Sequence, residues 1–178
     1  VVLWPENASD IDPLRNADAA DVLGVVVCKY WPRVERVGLH RRRAVDELVQ
    51  PYAGLKVDKI AGMEARGFIL GAPVAAELGL GMLTIRKAGK LPGHVIGVDY
   101  ELEYGTARME MHPESVHEGQ RVLIIDDVLA TGGTANAAVK LLRQCGASVE
   151  AVAVLLELDA LGGRSVLTDV TVESALHL

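Results

Sequence analysis

A run of apolar residues that leads into two carboxylates and a turn of small residues is the strongest chemical signal in this sequence. The run covers residues 122–125 of a strand expected at 121–125, and Asp126 and Asp127 follow it directly. The turn that comes next consists of Ala130, Thr131, Gly132, Gly133 and Thr134. Glycines let a backbone curl with its N–H groups pointing inward, and a helix beginning near Thr134 adds the positive end of its dipole. Together these features predict a cradle for a phosphate monoester.

The two carboxylates predict the other half of the ligand. Asp126 and Asp127 repel a phosphate group, but they accept hydrogen bonds from vicinal hydroxyls such as those of a ribose. A sugar phosphate therefore satisfies both halves of the motif. The alternative, that the carboxylates only end a strand and the glycines only turn the chain, is disfavoured because the parts of this long motif agree. The glycine loops typical of nucleoside triphosphatases and of dinucleotide-binding proteins are both absent from the sequence.

Two further segments place positive charge where an anionic substrate can use it. Arg66 lies between a predicted strand and a predicted helix, and its guanidinium can fork onto diphosphate oxygens. Arg86, Lys87 and Lys90 bring three positive charges into five residues at the start of a glycine-bearing loop, residues 87–97. Such a loop suits a lid that excludes water from the substrate. A surface Arg–Glu pair and a solvated strand end are the alternative interpretations of these two segments.

Alternating strand and helix patterns must position these groups. Strands are expected at residues 59–61, 82–85, 98–102, 107–111, 121–125 and 149–156, and helices at residues 44–52, 69–78 and 134–144. This alternation predicts an α/β fold with a central, mostly parallel sheet flanked by helices. Such sheets bind ligands at the carboxyl ends of their strands, so the chemistry is expected just after each apolar run.

Composition restricts the class of protein. The chain has 178 residues, of which 50% are apolar and 24% charged, as is ordinary for one globular domain. A formal net charge of −6 gives no general attraction for nucleic acid or for an anionic membrane. Two cysteines, Cys28 and Cys145, are too few for a disulfide framework. Since no apolar run has the length of a membrane span and no signal peptide is recognisable, the cytoplasm is the expected location.

The motifs together resemble a known family. Residues 122–134 resemble the phosphoribosyl pyrophosphate motif of the type I phosphoribosyltransferases. Residues 61–68, 85–93 and 100–105 are similar to signatures of the adenine phosphoribosyltransferases, in the same order along the chain. The resemblance covers roughly residues 42–165. It implies a reaction of adenine with phosphoribosyl pyrophosphate that yields AMP and pyrophosphate in the presence of Mg²⁺.

The resemblance also implies a role for each candidate residue. Asp126 and Asp127 would hold the ribose hydroxyls, and residues 130–134 would hold the 5-phosphate. The pyrophosphate charge would fall to three cations: Arg66, Lys87 and Lys90. Glu103, in a Leu-Glu-Tyr-Gly signature, would contact the imidazole edge of adenine as the catalytic residue. Mg²⁺ would bridge substrate oxygens rather than occupy a metal site of the protein, and the resemblance implies a homodimer.

The N-terminal segment departs from the family pattern. Family members carry a proline-and-glycine turn and a Phe-Arg-Asp-Ile-Thr-Pro-Leu-like strand that helps form a hood over the base, and residues 1–41 have no equivalent. We therefore expect a single phosphoribosyltransferase domain over residues 1–178, with an atypical hood segment at 1–41. Two alternatives stay open: a transferase for another purine base, and a non-catalytic regulator that senses phosphoribosyl pyrophosphate. Five arginines within residues 33–43 favour the regulator, whereas the acidic net charge disfavours it.

Overall fold

A seven-stranded sheet with helices on both faces forms the frame of the molecule. The computed structural model describes residues 38–101 and 105–178. The strands are β1 (Lys59–Met63), β2 (Gly81–Lys87), β3 (Ile96–Glu101), β4 (Thr106–Met111), β5 (Arg121–Leu129), β6 (Ser148–Glu157) and β7 (Thr171–His177). The helices are α1 (Gly38–Val49), α2 (Arg66–Leu78) and α3 (Gly133–Gln144).

The order of the strands places β1 and β5 side by side near the middle of the sheet. The order is β3-β4-β2-β1-β5-β6-β7, and the run from β2 to β7 is parallel throughout. β4 pairs antiparallel with both β2 and β3 at one edge. This arrangement confirms the predicted α/β fold with a mostly parallel sheet. It also brings the loops that follow β1, β2 and β5 to the same edge of the sheet.

Burial on both faces explains why β5 is continuously apolar. Four successive residues, Val122, Leu123, Ile124 and Ile125, are completely buried. Successive side chains of a strand point to opposite faces. Val122 and Ile124 accordingly pack in a cluster with α3, and Leu123 and Ile125 pack in a second cluster with α1 and α2. The strand that leads into the acidic pair is therefore held rigidly from both sides.

The structure lengthens several of the predicted elements. β5 continues through the acidic pair to Leu129, because its last residues still pair with β6, so the carboxylates lie within the strand rather than after it. α2 begins at Arg66 rather than at residue 69, and α3 begins at Gly133 rather than at Thr134. β7 is an edge strand that the sequence pattern does not predict, since of its residues Val172 alone is fully buried.

Two predicted features, the hood segment and Glu103, lie wholly or partly outside the described residues. Of the expected hood segment at 1–41, residues 38–41 alone are described, as the first turn of α1. The expected lid, residues 87–97, is described throughout: it begins at the end of β2 and crosses residues 88–95 before β3 starts at Ile96. None of the described helices is long and apolar enough to cross a membrane.

Candidate active site

The carboxyl ends of β1 and β5 bring the first two predicted groups into contact. Arg66 is the first residue of α2, directly after the loop that leaves β1. Its Nε atom forms a hydrogen-bonded ion pair with Oδ2 of Asp127. Asp127 is only 6% exposed, whereas the Arg66 side chain is 35% exposed. The guanidinium therefore contacts a buried carboxylate on one side and solvent on the other. An anionic substrate would approach from the solvent side.

Gly67 permits this close approach of α2 to β5. A Cβ atom at Gly67 would lie 2.7 Å from the carbonyl oxygen of Ile125 and 3.0 Å from Oδ1 of Asp126. Because the first of these contacts is to the backbone of a buried strand, a side chain at this position would push α2 away from β5. The absence of a side chain at Gly67 is therefore a steric requirement of the contact between α2 and β5.

Asp126 sits in an environment that disfavours its charge. Burial raises the pKa of Asp126 well above its usual range, and the neighbouring charge of Asp127 raises it further, while Arg66 acts in the opposite direction. Oδ1 of Asp126 accepts a hydrogen bond of 2.9 Å from the backbone N–H of Asp127. Two adjacent carboxylates in such a site favour a ligand that donates hydrogen bonds or brings positive charge. The hydroxyls of a ribose meet the first of these requirements.

We expect Asp126→Asn to stabilise the ligand-free protein. The amide keeps the oxygen that accepts the N–H of Asp127 but removes the buried charge. Because the folded-state pKa is raised, the folded chain retains a proton that the unfolded chain releases above about pH 3.9, so the carboxylate lowers stability as pH rises. At about pH 8 the variant should therefore have a higher Tm than the wild-type protein. Thermal unfolding followed by circular dichroism measures this, and an unchanged or lower Tm would contradict it.

The turn between β5 and α3 has the geometry of an anion cradle. Gly132 is the N-cap residue of α3, and its φ of +80° lies in the left-handed region that glycine adopts without strain. No side-chain cap is seen at this helix end within the described part of the chain. The first N–H groups of a helix have no partner within the helix, so they can bind a phosphate. Thr131 is exposed and Thr134 half-buried, at either side of these groups.

Glu64 organises the cations at the end of β2. Its Oε1 accepts a hydrogen bond of 3.3 Å from Nη2 of Arg86, and its Oε2 accepts one of 2.9 Å from the N–H of Lys87. Nη1 of Arg86 in turn donates to the carbonyl oxygen of Lys90 at 3.0 Å. Burial raises the pKa of Glu64, but the Lys87 N–H and the Arg86 guanidinium outweigh it and hold that pKa below its usual range. Lys87 and Lys90 themselves are exposed.

Comparison with known proteins identifies the family. The model of the phosphoribosyl transferase domain matches residues 35–172. The chain belongs to the phosphoribosyltransferase family. The match includes every described residue that the sequence predicts for the phosphoribosyltransferase site, from Arg66 to Thr134.

Individual relatives are adenine phosphoribosyltransferases. The enzyme of Agrobacterium fabrum is 58% identical over 132 residues, which are 74% of this chain and 73% of that protein. The crystal structure of the enzyme from Thermoanaerobacter pseudethanolicus has a TM-score of 0.80 at 43% identity, covering 82% of this chain and 84% of that one. The Trypanosoma brucei enzyme, solved with AMP, pyrophosphate and ribose-5-phosphate, has a TM-score of 0.73 at 32% identity, covering 81% and 67%. These likenesses confirm the type I phosphoribosyltransferase fold.

The phosphoribosyltransferase site includes a segment that the sequence reasoning misses. The carbonyl oxygen of Gly163 lies 2.4 Å from where a Cβ atom of Gly132 would stand. Conversely, a Cβ atom on Gly163 would lie 2.1 Å from the carbonyl oxygen of Ala130. The loop after β6 therefore packs backbone to backbone against residues 130–134, the turn between β5 and α3 that we call the phosphate turn. The only signal in the sequence is the pair of glycines at 162 and 163, which also suits an ordinary turn.

Glu103 of this phosphoribosyltransferase lies in residues 102–104, outside the described part of the chain. The preceding strand is described, and it passes beside the phosphate turn. A Cβ atom on Gly133 would lie 3.4 Å from the carbonyl oxygen of Glu101 and 3.4 Å from Cδ2 of Tyr100. The end of β3 is thus adjacent to the start of α3, two residues before Glu103. The role of Glu103 stays a prediction.

Proposed function

We propose that this protein transfers the phosphoribosyl group of phosphoribosyl pyrophosphate to adenine, forming AMP and pyrophosphate. The observation that carries the proposal is the meeting of three features at one edge of the sheet: an anion cradle at the start of α3, the Asp126–Asp127 pair, and Arg66 on Asp127. The first suits a phosphate, the second a ribose and the third a diphosphate. The names of the relatives and the ligands of the Trypanosoma brucei enzyme support the same substrates.

The cradle and the acidic pair bind the ribose 5-phosphate half of the substrate. Backbone N–H groups of residues 130–134 and the hydroxyls of Thr131 and Thr134 donate to the 5-phosphate. Asp126 and Asp127 accept hydrogen bonds from the two ribose hydroxyls. These contacts fix C1 of the ribose with respect to the attacking base, and such positioning is a major source of rate enhancement.

The remaining residues act on the two groups that exchange at C1. The bond from C1 to the pyrophosphate oxygen breaks as N9 of adenine bonds to C1, and positive charge develops on the ribose. Arg66, Lys87 and Lys90 bind the departing pyrophosphate, and Glu64 fixes the backbone of Lys87. Glu103 accepts the imidazole proton of adenine. Closure of residues 87–97 excludes water, which otherwise competes with adenine for C1.

Mg²⁺ fits this site as a companion of the substrate. Hard oxygen ligands suit Mg²⁺, and it commonly binds through substrate phosphates with few protein ligands. The pyrophosphate and ribose oxygens of the substrate would supply such ligands, and the closeness of the Asp126 and Asp127 carboxylates favours a cation nearby. Bound Mg²⁺ would neutralise charge on the pyrophosphate.

The proposal extends to the assembly and the location of the enzyme. We infer a homodimer from the family resemblance, with residues 1–178 as a single domain. A cytoplasmic location follows from the substrates, because phosphorylated sugars and nucleotides do not cross membranes unaided. Sedimentation equilibrium that showed only monomer would contradict the dimer.

Pyrophosphate release with each purine base in turn tests the function. The protein is incubated with phosphoribosyl pyrophosphate, Mg²⁺ and one base, and pyrophosphate and nucleotide are quantified together. We expect equal amounts of AMP and pyrophosphate with adenine, and little product with hypoxanthine, guanine or xanthine. A faster reaction with one of the other bases would assign a different purine. Binding of phosphoribosyl pyrophosphate without turnover of any base would favour the regulator.

A further inference from the structure

We infer that Arg164 is a positioning residue for the 5-phosphate turn: held by Glu157, it keeps Gly163 pressed against Ala130 and Gly132. The inference rests on the proposed function, because it assigns a second layer of support to the phosphate site proposed above. The side chain of Arg164 donates its hydrogen bonds to Glu157, Val172 and Ser174, so its effect on the turn passes through Gly163.

The contact between the two loops is tight enough to transmit a displacement. The position of a Cβ atom on Gly163 lies 2.1 Å from the oxygen of Ala130 and 3.0 Å from the backbone nitrogen of Gly132. The reverse contact, from a Cβ position on Gly132 to the oxygen of Gly163, is 2.4 Å. Neither glycine can carry a side chain without moving backbone. The backbone of the turn is consequently in direct contact with the backbone of Gly163.

Arg164 directly follows Gly163, and four hydrogen bonds hold its side chain in place. Nε donates to Oε1 of Glu157 at 3.0 Å, and Nη2 donates to Oε2 at 2.5 Å. Nη1 donates to the carbonyl oxygen of Val172 at 2.6 Å, and Nη2 also reaches Oγ of Ser174 at 2.9 Å. One guanidinium thus ties the loop to the end of β6 and to β7. A two-pronged ion pair of this kind fixes direction as well as distance.

Glu157 connects this anchor to the strand that carries the acidic pair. It is 4% exposed and lies opposite Leu129, the last residue of β5, in the register of β5 and β6. The hydrogen bonds from Arg164 hold the pKa of Glu157 below its usual range although burial opposes this. A buried carboxylate without its partner is strongly destabilising, so the ion pair between Glu157 and Arg164 is expected to stay formed.

The side chains that surround Glu157 are not suited to bind a cation. Oxygen and nitrogen atoms of Glu157, Asp159 and His177 lie within 4.8 Å of one another. However, both oxygens of Glu157 already accept hydrogen bonds from Arg164, and Oε2 also accepts one from Ser174 at 2.7 Å. The positive charge that this group requires is supplied by the arginine.

Loss of the hydrogen bonds of Arg164 should weaken the binding of the phosphate and change the binding of the base little. With Gly163 no longer fixed, Ala130 and Gly132 can shift, and the N–H groups of the cradle lose their alignment. A displacement of about 1 Å in a binding site can cost about a hundredfold. Adenine binds at a different part of the site in the proposed function, so its apparent affinity should change little.

The test compares Arg164→Met with Arg143→Met. Arg143 is the control, because it also forms an ion pair, with Asp169, but that pair is more exposed and lies at the far end of α3. Calorimetry with ribose 5-phosphate and steady-state kinetics are run on both variants and on wild type. For Arg164→Met we expect at least about tenfold weaker ribose 5-phosphate binding and a raised KM for phosphoribosyl pyrophosphate, with the adenine KM within about twofold. For Arg143→Met we expect wild-type values, and Arg164→Lys should recover part of the loss.

Gly163→Ala keeps the test decisive if Arg164→Met fails to fold. Gly163 does not have a positive φ, so alanine suits its backbone, and its methyl group acts directly on Ala130. The expected result is the same selective loss of ribose 5-phosphate binding. Gly132→Ala serves as a second variant, which should abolish binding if the turn holds the phosphate. If it does so while Arg164→Met or Gly163→Ala binds ribose 5-phosphate as the wild type does, this inference is overturned and the proposed function is left intact. A wild-type protein that binds no ribose 5-phosphate would overturn both.

Discussion

Gly132→Ala is expected to weaken the binding of phosphoribosyl pyrophosphate by about a hundredfold or more. The residue has a φ of +80°, and an added Cβ atom would lie 2.4 Å from the carbonyl oxygen of Gly163. Relief of this clash must move either the first turn of α3 or the loop behind it, and both movements disorder the N–H groups that bind the 5-phosphate. Isothermal titration calorimetry with phosphoribosyl pyrophosphate and Mg²⁺ measures the effect.

Gly119→Ala is the matched control for this variant. Gly119 has a φ of +78°, but a Cβ atom there would have nothing within 4 Å. The two substitutions therefore share the backbone cost of about 1 kcal/mol for a non-glycine residue in the left-handed region, and they differ in the clash. In urea unfolding we expect Gly119→Ala to lose this backbone cost alone and Gly132→Ala to lose more, and we expect a loss of binding for Gly132→Ala alone. Unchanged affinity in a folded Gly132→Ala protein would contradict the cradle.

Glu103→Gln should lower turnover with adenine by roughly a hundredfold or more, the usual scale for loss of a general base. The amide keeps the size of the side chain but cannot take the imidazole proton. Affinity for phosphoribosyl pyrophosphate should stay near the wild-type value, because Glu103 is not expected to touch phosphate. Steady-state kinetics with adenine, together with calorimetry of phosphoribosyl pyrophosphate, separate the two effects.

Glu101→Gln provides the comparison for the catalytic prediction. Glu101 is an exposed residue at the end of β3, two positions before Glu103, and it undergoes the same chemical change. We expect this variant to keep near-wild-type turnover. A result in which Glu101→Gln is slow and Glu103→Gln is fast would move the catalytic role to Glu101. Two active variants would remove the glutamate base from the mechanism.

The sequence predicts the parts of this molecule that are local along the chain. The segment from β5 into α3 could be interpreted because its strand, carboxylates, turn and helix are consecutive, and each has its own pattern of residue types. The end of α2, expected at residue 78, is similarly local, because Gly79 directly follows it and has the left-handed φ of +67° that ends a helix. Both segments could be predicted without knowing which distant parts of the chain pack against them.

Contacts between distant segments could not be predicted in the same way. The pairing of Arg66 with Asp127 depends on β1 and β5 being neighbours, and strand order is a property of the whole sheet. Glu64 precedes Arg66 by two residues, yet its partners Arg86 and Lys87 lie at the end of β2. The support of the phosphate turn by Gly163 depends on the path of the chain after β6. In each case the residue type is compatible with an ordinary surface position, so spacing alone carries no signal.

The position of bound ribose 5-phosphate tests the central claim most directly. A crystal structure of the complex should show the 5-phosphate within hydrogen-bond distance, about 3 Å, of N–H groups of residues 130–134. The ribose hydroxyls should lie at the same distance from Asp126 and Asp127. A phosphate bound instead beside Lys87 and Lys90, with the turn at the start of α3 unchanged and the acidic pair in contact with water alone, would contradict the account.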